Sequence, residues 1–157
     1  MTTPTMASTA TRLASVHDSV ALGALFDLYR QFYALAPDLA RATAYIGERL
    51  ANKESIVLVA HNAAGDLLGF LQMYPTFCSL EAAPICALYD LFVGPEHRKT
   101  GAGRALLLAA EAYAAEHGFV RMDLTTAKDN VAAQSLYESL GWVRDTVFFA
   151  YNRQVSS

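Results

Sequence analysis

The chain has 157 residues, a length for one domain, and 54% of them are apolar, which supports a packed core and excludes a disordered chain. A formal charge of -3 argues against a protein built to coat nucleic acid, and no apolar run approaches the roughly 18 residues of a membrane span. Cys78 and Cys86 have no partners at metal-ligand spacing, so they read as reduced thiols, which points to the cytoplasm and to no bound metal.

Residues 1–10 read as a flexible tail, lacking the basic start and apolar centre of a signal peptide, and a single domain is expected over 11–154. "TRLAS" is a short strand candidate. Asp18 is a candidate cap for a helix over Ser19 to Tyr33, with Leu22, Leu25, Phe26, Tyr29 and Phe32 at three-to-four spacing. Pro37 and Asp38 restart the chain, and Leu39 to Leu50 reads as a second helix. "SIVLVAH" and "LLGFLQMY" flank the turn "NAAGD" and form a hairpin. "ICALYDLFV" is a third apolar strand. After a glycine-containing loop comes a helix over Gly103 to His117, stopped by Gly118. "VRMDLT" alternates as a half-buried strand, "DNVAAQSLYESLG" is a short helix, and "DTVFFAYNR" is expected to close the chain as an apolar strand suited to a partner subunit. This order predicts a mixed α+β domain with one strand–helix–strand crossover, and the glycine loop lies inside it.

That loop, "RKTGAGR" from Arg98 to Arg104, matches neither the phosphate loop G-x-x-x-x-G-K-[ST] nor the dinucleotide fingerprint, since Leu106 stands where a third glycine is needed. It still offers what an anion requires. The first N–H groups of a helix lack intrahelical partners, the helix dipole adds about half a positive charge, and Gly101 and Gly103 let a ligand approach the backbone. Arg98, Lys99 and Arg104 surround it with charge. Taken alone, the same residues also suit an ordinary solvent-facing helix start.

The wider region "LYDLFVGPEHRKTGAGRALL" resembles the acetyl-CoA-binding motif of the GNAT superfamily of N-acetyltransferases. The family pattern [QR]-x-x-G-x-[GA], following D-L-x-V-x-P, appears as Arg98-x-x-Gly101-x-Gly103 after Asp90-Leu91-Phe92-Val93-Gly94-Pro95. About 30 residues on, "DNVAAQSLYESLGW" resembles the family's N-x-x-A-x-x-L-Y-x-x-x-G-[FW]. The core of the resemblance covers Ile85 to Tyr151. It implies the GNAT fold, a strongly twisted, mostly antiparallel sheet with helices on both faces. It also implies acetyl-CoA as cosubstrate: the amides of Arg98, Lys99, Thr100, Gly101, Ala102, Gly103 and Arg104 on its pyrophosphate, the main chain of Leu91, Phe92 and Val93 along its pantetheine arm, and Asn130 in contact with it. Tyr137 would stand near the sulfur as general acid or hydrogen-bond donor.

Asn130 and Tyr137 lie seven residues apart, which on a helix brings both to one side, within about 20°, with about 10 Å between them along the axis. Each also has a plain alternative, Asn130 as a helix cap and Tyr137 as a core residue. The family often places a glutamate on the strand before the loop as the base. Here the two corresponding positions hold Ala87 and Tyr89, so Asp90 is left as the candidate base, or as a residue shaping the strand end. The resemblance implies an acceptor site between the first two helices and the middle strands, and Tyr29, Tyr33, Tyr45, Tyr74 and Tyr89 are candidates to line it, where aromatic faces and hydroxyls could hold an amine, or else are plain half-buried packing; Glu48 and Glu81 could favour a basic acceptor or simply be solvated. The resemblance as a whole implies direct acetyl transfer to a primary amine, of a small polyamine or amino-acid-like molecule first and of a protein lysine or N-terminus second, by a protein that forms homodimers; the alternative of another class, left open by the absent glutamate, is a GNAT module that senses acyl-CoA without turnover.

Overall fold

The computed structural model describes residues 9–156, and the chain falls into two compact units that divide between Thr125 and Thr126. In the first unit the elements are β1 (Ala10–Leu13), α1 (Ser19–Phe32), α2 (Leu39–Asn52), β2 (Ile56–His61), β3 (Leu67–Cys78), β4 (Ala83–Val93), α3 (Ala102–Glu116) and β5 (Met122–Leu124). The strands lie side by side in chain order; β1 to β4 pair antiparallel and β4 pairs with β5 in parallel. The parallel pair requires a crossover, and α3 supplies it, with the Arg98–Arg104 turn at its entrance. The architecture is the predicted α+β arrangement, a mostly antiparallel sheet flanked by helices. Of the expected tail, residues 1–8 lie outside the described part of the chain, and Ala10 already belongs to β1.

Alternation along β2 divides its side chains between two layers. Val57 and Val59 join Phe70, Phe92 and the α1–α2 residues Leu22, Phe26, Ala42 and Ile46 in one buried cluster. Leu58 and its cross-strand partner Leu71 point the other way, and α3 packs on β2, β3 and β4 with Leu106, Leu107 and Ala110 buried. Phe70 is fully buried, and burial of a side chain that size contributes about 1.5–3 kcal/mol. Phe32, counted in the apolar stripe of α1, is instead 54% exposed at the last helical turn, and the Arg98 guanidinium lies 5.8 Å from its ring.

Two local features differ from expectation. Asp18 makes no side-chain cap on α1. Its carboxylate accepts from Arg12 and from the Ser15 amide, in a capping box on the short 3₁₀ turn Val16–Asp18. At the centre of the sheet, Met73 pairs with Leu88 and Gln72 pairs with Asp90, so Tyr89 is an extra residue in β4, a β-bulge. Nearby, Gly69 of β3 lies so close to β4 that a Cβ there would sit 2.6 Å from the Phe92 carbonyl oxygen.

The second unit holds α4 (Val131–Ser139). Asn130 caps it, its side-chain oxygen accepting from the Ala133 amide at 3.3 Å. The expected terminal strand "DTVFFAYNR" does not form: residues 143–156 carry neither helix nor strand. Asp145 draws the Val147 and Phe148 amides onto its carboxylate at 2.8 and 3.0 Å, which bends the backbone into a turn, and Phe148, Phe149 and Tyr151 are exposed.

Candidate active site

A cleft of about 810 Å³ opens between the helices α1 and α2 and the strands β3 and β4. Its helical wall is Phe26 and Arg30 of α1 with Arg41, Ala42 and Tyr45 of α2. The four-residue steps from Phe26 to Arg30 and from Arg41 to Tyr45 keep each pair on one helix face. Its strand wall is Tyr74, Pro75 and Thr76 of β3 with Ala87, Tyr89 and Asp90 of β4. In a regular strand, neighbours 89 and 90 would face opposite sides; at the bulge both reach the cleft.

Asp90 is buried, at 7% exposure, and is the one carboxylate in the lining. Gln72 donates to it at 2.7 Å, and the Ser55 hydroxyl donates to the Gln72 carbonyl oxygen at 2.7 Å. Burial pushes the Asp90 pKa above the ordinary aspartate value, and bonds from Gln72 and Tyr29 offset part of that rise. Ala87, one of the positions where the family resemblance places a glutamate, also lines the cleft, so the missing carboxylate leaves Asp90 without a like-charged neighbour in the lining.

The five tyrosines divide. Tyr74 and Tyr89 line the cleft with their rings 5.4 Å apart, edge to face. The Tyr74 and Tyr45 hydroxyls are 2.8 Å apart, and burial followed by that contact raises the Tyr74 pKa, so its phenol stays neutral. Tyr29 and Tyr33 are not in the lining. The Tyr29 ring is held among Phe26, Phe70 and Phe92, and its hydroxyl shares its one proton between the Tyr89 carbonyl, at 3.2 Å, and Asp90, which ties α1 to the bulge. Tyr33 lies at the exposed end of α1 against Tyr29 and Phe32. Glu48 and Glu81 also stand outside the lining, paired with Arg49 and Arg121.

From Asp90, β4 continues through Leu91, Phe92 and Val93. On one side these pair with Leu71, Phe70 and Gly69. On the other, β5 pairs only with Cys86 to Leu88, so among the described residues Tyr89 to Val93 have no strand partner on that edge. The chain then passes through Gly94 and a 3₁₀ turn, Pro95–His97, to the entrance of α3. There Lys99 has φ 61° and Gly101, the residue before the first helical turn, has φ 84°. This left-handed geometry is costly for any residue but glycine, and it turns the chain sharply into the helix. No side chain caps α3. The first intrahelical bond is Ala105 N–H to the Gly101 carbonyl, so the amides of Ala102, Gly103 and Arg104 are without intrahelical acceptors. The turn thus fits a diphosphate. Arg98 faces elsewhere: its Nε donates to the Val93 carbonyl at 3.3 Å and its guanidinium lies over the rings of Phe92 and Phe32. Thr100 donates its hydroxyl to the His97 carbonyl at 2.6 Å, tightening the turn.

In the second unit, Tyr137 is half-buried on α4 with its ring 6.1 Å from that of Trp142. Asn130 uses its side-chain oxygen as the helix cap. Among the described residues no group of three or more His, Cys, Asp or Glu side chains is placed to hold a metal ion.

The model of the acetyltransferase (GNAT) family matches residues 22–142. The chain belongs to that family. It is 44% identical over 140 residues to the uncharacterized N-acetyltransferase YhfO of Bacillus subtilis (strain 168), an alignment covering 89% of this chain and 93% of the relative. It is 42% identical over 92 residues to a mycothiol acetyltransferase of Thermobispora bispora, covering 57% of this chain but only 31% of that protein. The crystal structure of a probable acetyltransferase superposes with TM-score 0.88 at 35% identity, covering 94% of this chain and 99% of the other. The GNAT enzymes use acetyl-CoA and act on amine acceptors, and the protein is accordingly an acyltransferase.

Sequence reasoning missed Arg30, Arg41, Gln72 and the bulge. Arg30 had a signal: it continues the four-residue row Leu22, Phe26, Arg30, a charged residue on an apolar stripe. The bulge had none, because an extra residue in one strand shows only against its partner.

Proposed function

We propose that the protein transfers the acetyl group of acetyl-CoA directly to a primary amine of a small molecule, polyamine or amino-acid-like. The observation that carries this reading is the layout of β4. Asp90 sits at its cleft, a free edge follows from Leu91 to Val93, and a turn rich in unpaired amides lies beyond. The amides of the Arg98–Arg104 turn bind a diphosphate, and the free edge of Leu91 to Val93 takes the pantetheine arm as an added strand. When bound, acetyl-CoA supplies an activated acyl carbon and a thiolate leaving group. Asp90, its pKa raised, attracts the ammonium group and accepts its proton directly or through water, freeing the lone pair that attacks the carbonyl carbon. A backbone N–H of the Leu91–Val93 segment stabilises the charge that develops on the carbonyl oxygen. By the family resemblance Tyr137 donates a hydrogen bond or a proton to the departing sulfur and recovers a proton from solvent, to which the attacking nitrogen releases its second proton. Positioning and electrostatic stabilisation supply most of the rate, and no cysteine nucleophile is used: Cys86 is fully buried and burial raises its pKa to about 11, and Cys78 stands outside the cleft lining.

Loss of thioester absorbance from acetyl-CoA, followed across small amines and lysine peptides, tests the reading. Turnover of a small amine is expected, with kcat lowered about ten- to a hundredfold in Tyr137→Phe, the worth of one hydrogen bond to a developing charge. Turnover confined to peptides, or a Tyr137→Phe enzyme as fast as wild type, would overturn it.

A further inference from the structure

We infer that the acceptor is amino-acid-like, with a carboxylate gripped by Arg30 and Arg41 on the helical wall of the cleft while its amine faces Asp90 on the strand wall. This rests on the acetyl-transfer reading of the same cleft and narrows its substrate class.

Arg30 lines the cleft, and its Nη1 is buried with no hydrogen-bond partner among the described residues. Buried guanidinium nitrogens nearly always find an acceptor, because leaving one unpaired is costly. The nearest carboxylate in sequence is committed elsewhere: Asp27 accepts from the Asp38 amide at 2.9 Å and from Gln31 at 3.1 Å. Among the described residues the ion pairs use Arg12, Arg49, Arg121 and Arg144, and neither cleft arginine takes part in one. The lining therefore sets two guanidinium groups against a single carboxylate. A polyamine, cationic at both ends, would meet that excess of like charge. A zwitterion matches it, since the planar donor fork of arginine suits a carboxylate and Asp90 suits an ammonium. A cleft of about 810 Å³ is ample for such a molecule.

The experiment compares α- and ω-amino acids with their own carboxamides, alongside putrescine and spermidine, at saturating acetyl-CoA. At least one acid is expected to exceed its carboxamide about ten- to a hundredfold in kcat/KM, the worth of a charge-assisted hydrogen bond. Arg30→Gln and Arg41→Gln should narrow that ratio through KM. Arg41 is exposed, so its variant folds even where Arg30→Gln does not. Turnover in which carboxamides or polyamines equal the acids, or a ratio unchanged in both variants, overturns the inference and leaves the acetyltransferase standing. Absence of turnover with every amine sinks the acetyl-transfer reading instead. Thermal melting then decides the carboxylate grip by itself: acids that raise the melting temperature more than their carboxamides, less so in the variants, uphold the hold of Arg30 and Arg41, and equal or absent shifts overturn it.

Discussion

Replacing Asp90 by asparagine should make the protein more stable and less active at once. The carboxylate is buried, and its partners are a neutral amide from Gln72 and the Tyr29 hydroxyl, with no cation among them. Burial is the largest influence on its pKa and raises it above the ordinary 3.8. Because the folded value exceeds the unfolded one, the fold prefers the protonated form. That stabilisation is fully present below about 3.8 and is lost as pH rises through the raised folded value. At neutral pH the ionised side chain therefore weakens the fold. Asparagine keeps the shape and can still accept from Gln72, so Asp90→Asn should melt higher than wild type near pH 7, with the gain shrinking as the solution is taken toward pH 4. Catalysis moves the other way. Freeing the lone pair of a lysine-like amine at pH 7 costs about 4.6 kcal/mol, and a positioned base is worth about 10²–10⁴ in rate. The variant should lose about a hundredfold or more in kcat/KM for the acceptor and recover part of it at higher pH, where more amine is already neutral. Thermal melts between pH 4 and 8 and initial rates over the same range measure both. A variant within twofold of wild type in kcat/KM would refute the base, and one that melts lower at neutral pH would refute the burial account.

Three further outcomes follow from the same geometry. Gly101→Ala forces a side chain into φ 84°, at a cost of about 1–2 kcal/mol, and should raise KM for acetyl-CoA more than KM for the acceptor; equal effects on both would dissociate the turn from the cosubstrate. Gly69→Ala places a Cβ 2.6 Å from the Phe92 carbonyl and should lower stability by about 1–3 kcal/mol in urea titration, whereas an unchanged midpoint would mean that β3 and β4 separate freely. The two thiols should label in separate phases near pH 8. Cys78, whose pKa is lowered by the Glu81 backbone and by Arg121, should react in the native state, and Cys86, fully buried and raised to about 11, only on unfolding; two fast thiols would contradict the packing of β4.

The sequence by itself determined the element order as far as α4 and the turn at Arg98–Arg104. Period-two and period-3.6 patterns and glycine stops are local signals, and the amides at a helix start are unpaired wherever the helix lies. It also singled out Asp90, Tyr74 and Tyr89, but through motif and residue type rather than through any view of their surroundings. Tertiary structure decided what those surroundings are. Only cross-strand register shows that Tyr89 is an extra residue and that Asp90 reaches the cleft beside it. Only the packing of α1 and α2 on β3 and β4 brings Arg30 and Arg41 opposite Asp90 and withdraws Tyr29 into the aromatic cluster. The apolar pattern of "DTVFFAYNR" predicted a strand that does not form, because a strand is completed by a hydrogen-bonding partner and Asp145 folds the first amides of this segment into a turn. Charge balance and burial are sums over residues distant in sequence, so the chemistry of the cleft appears only once the chain has folded.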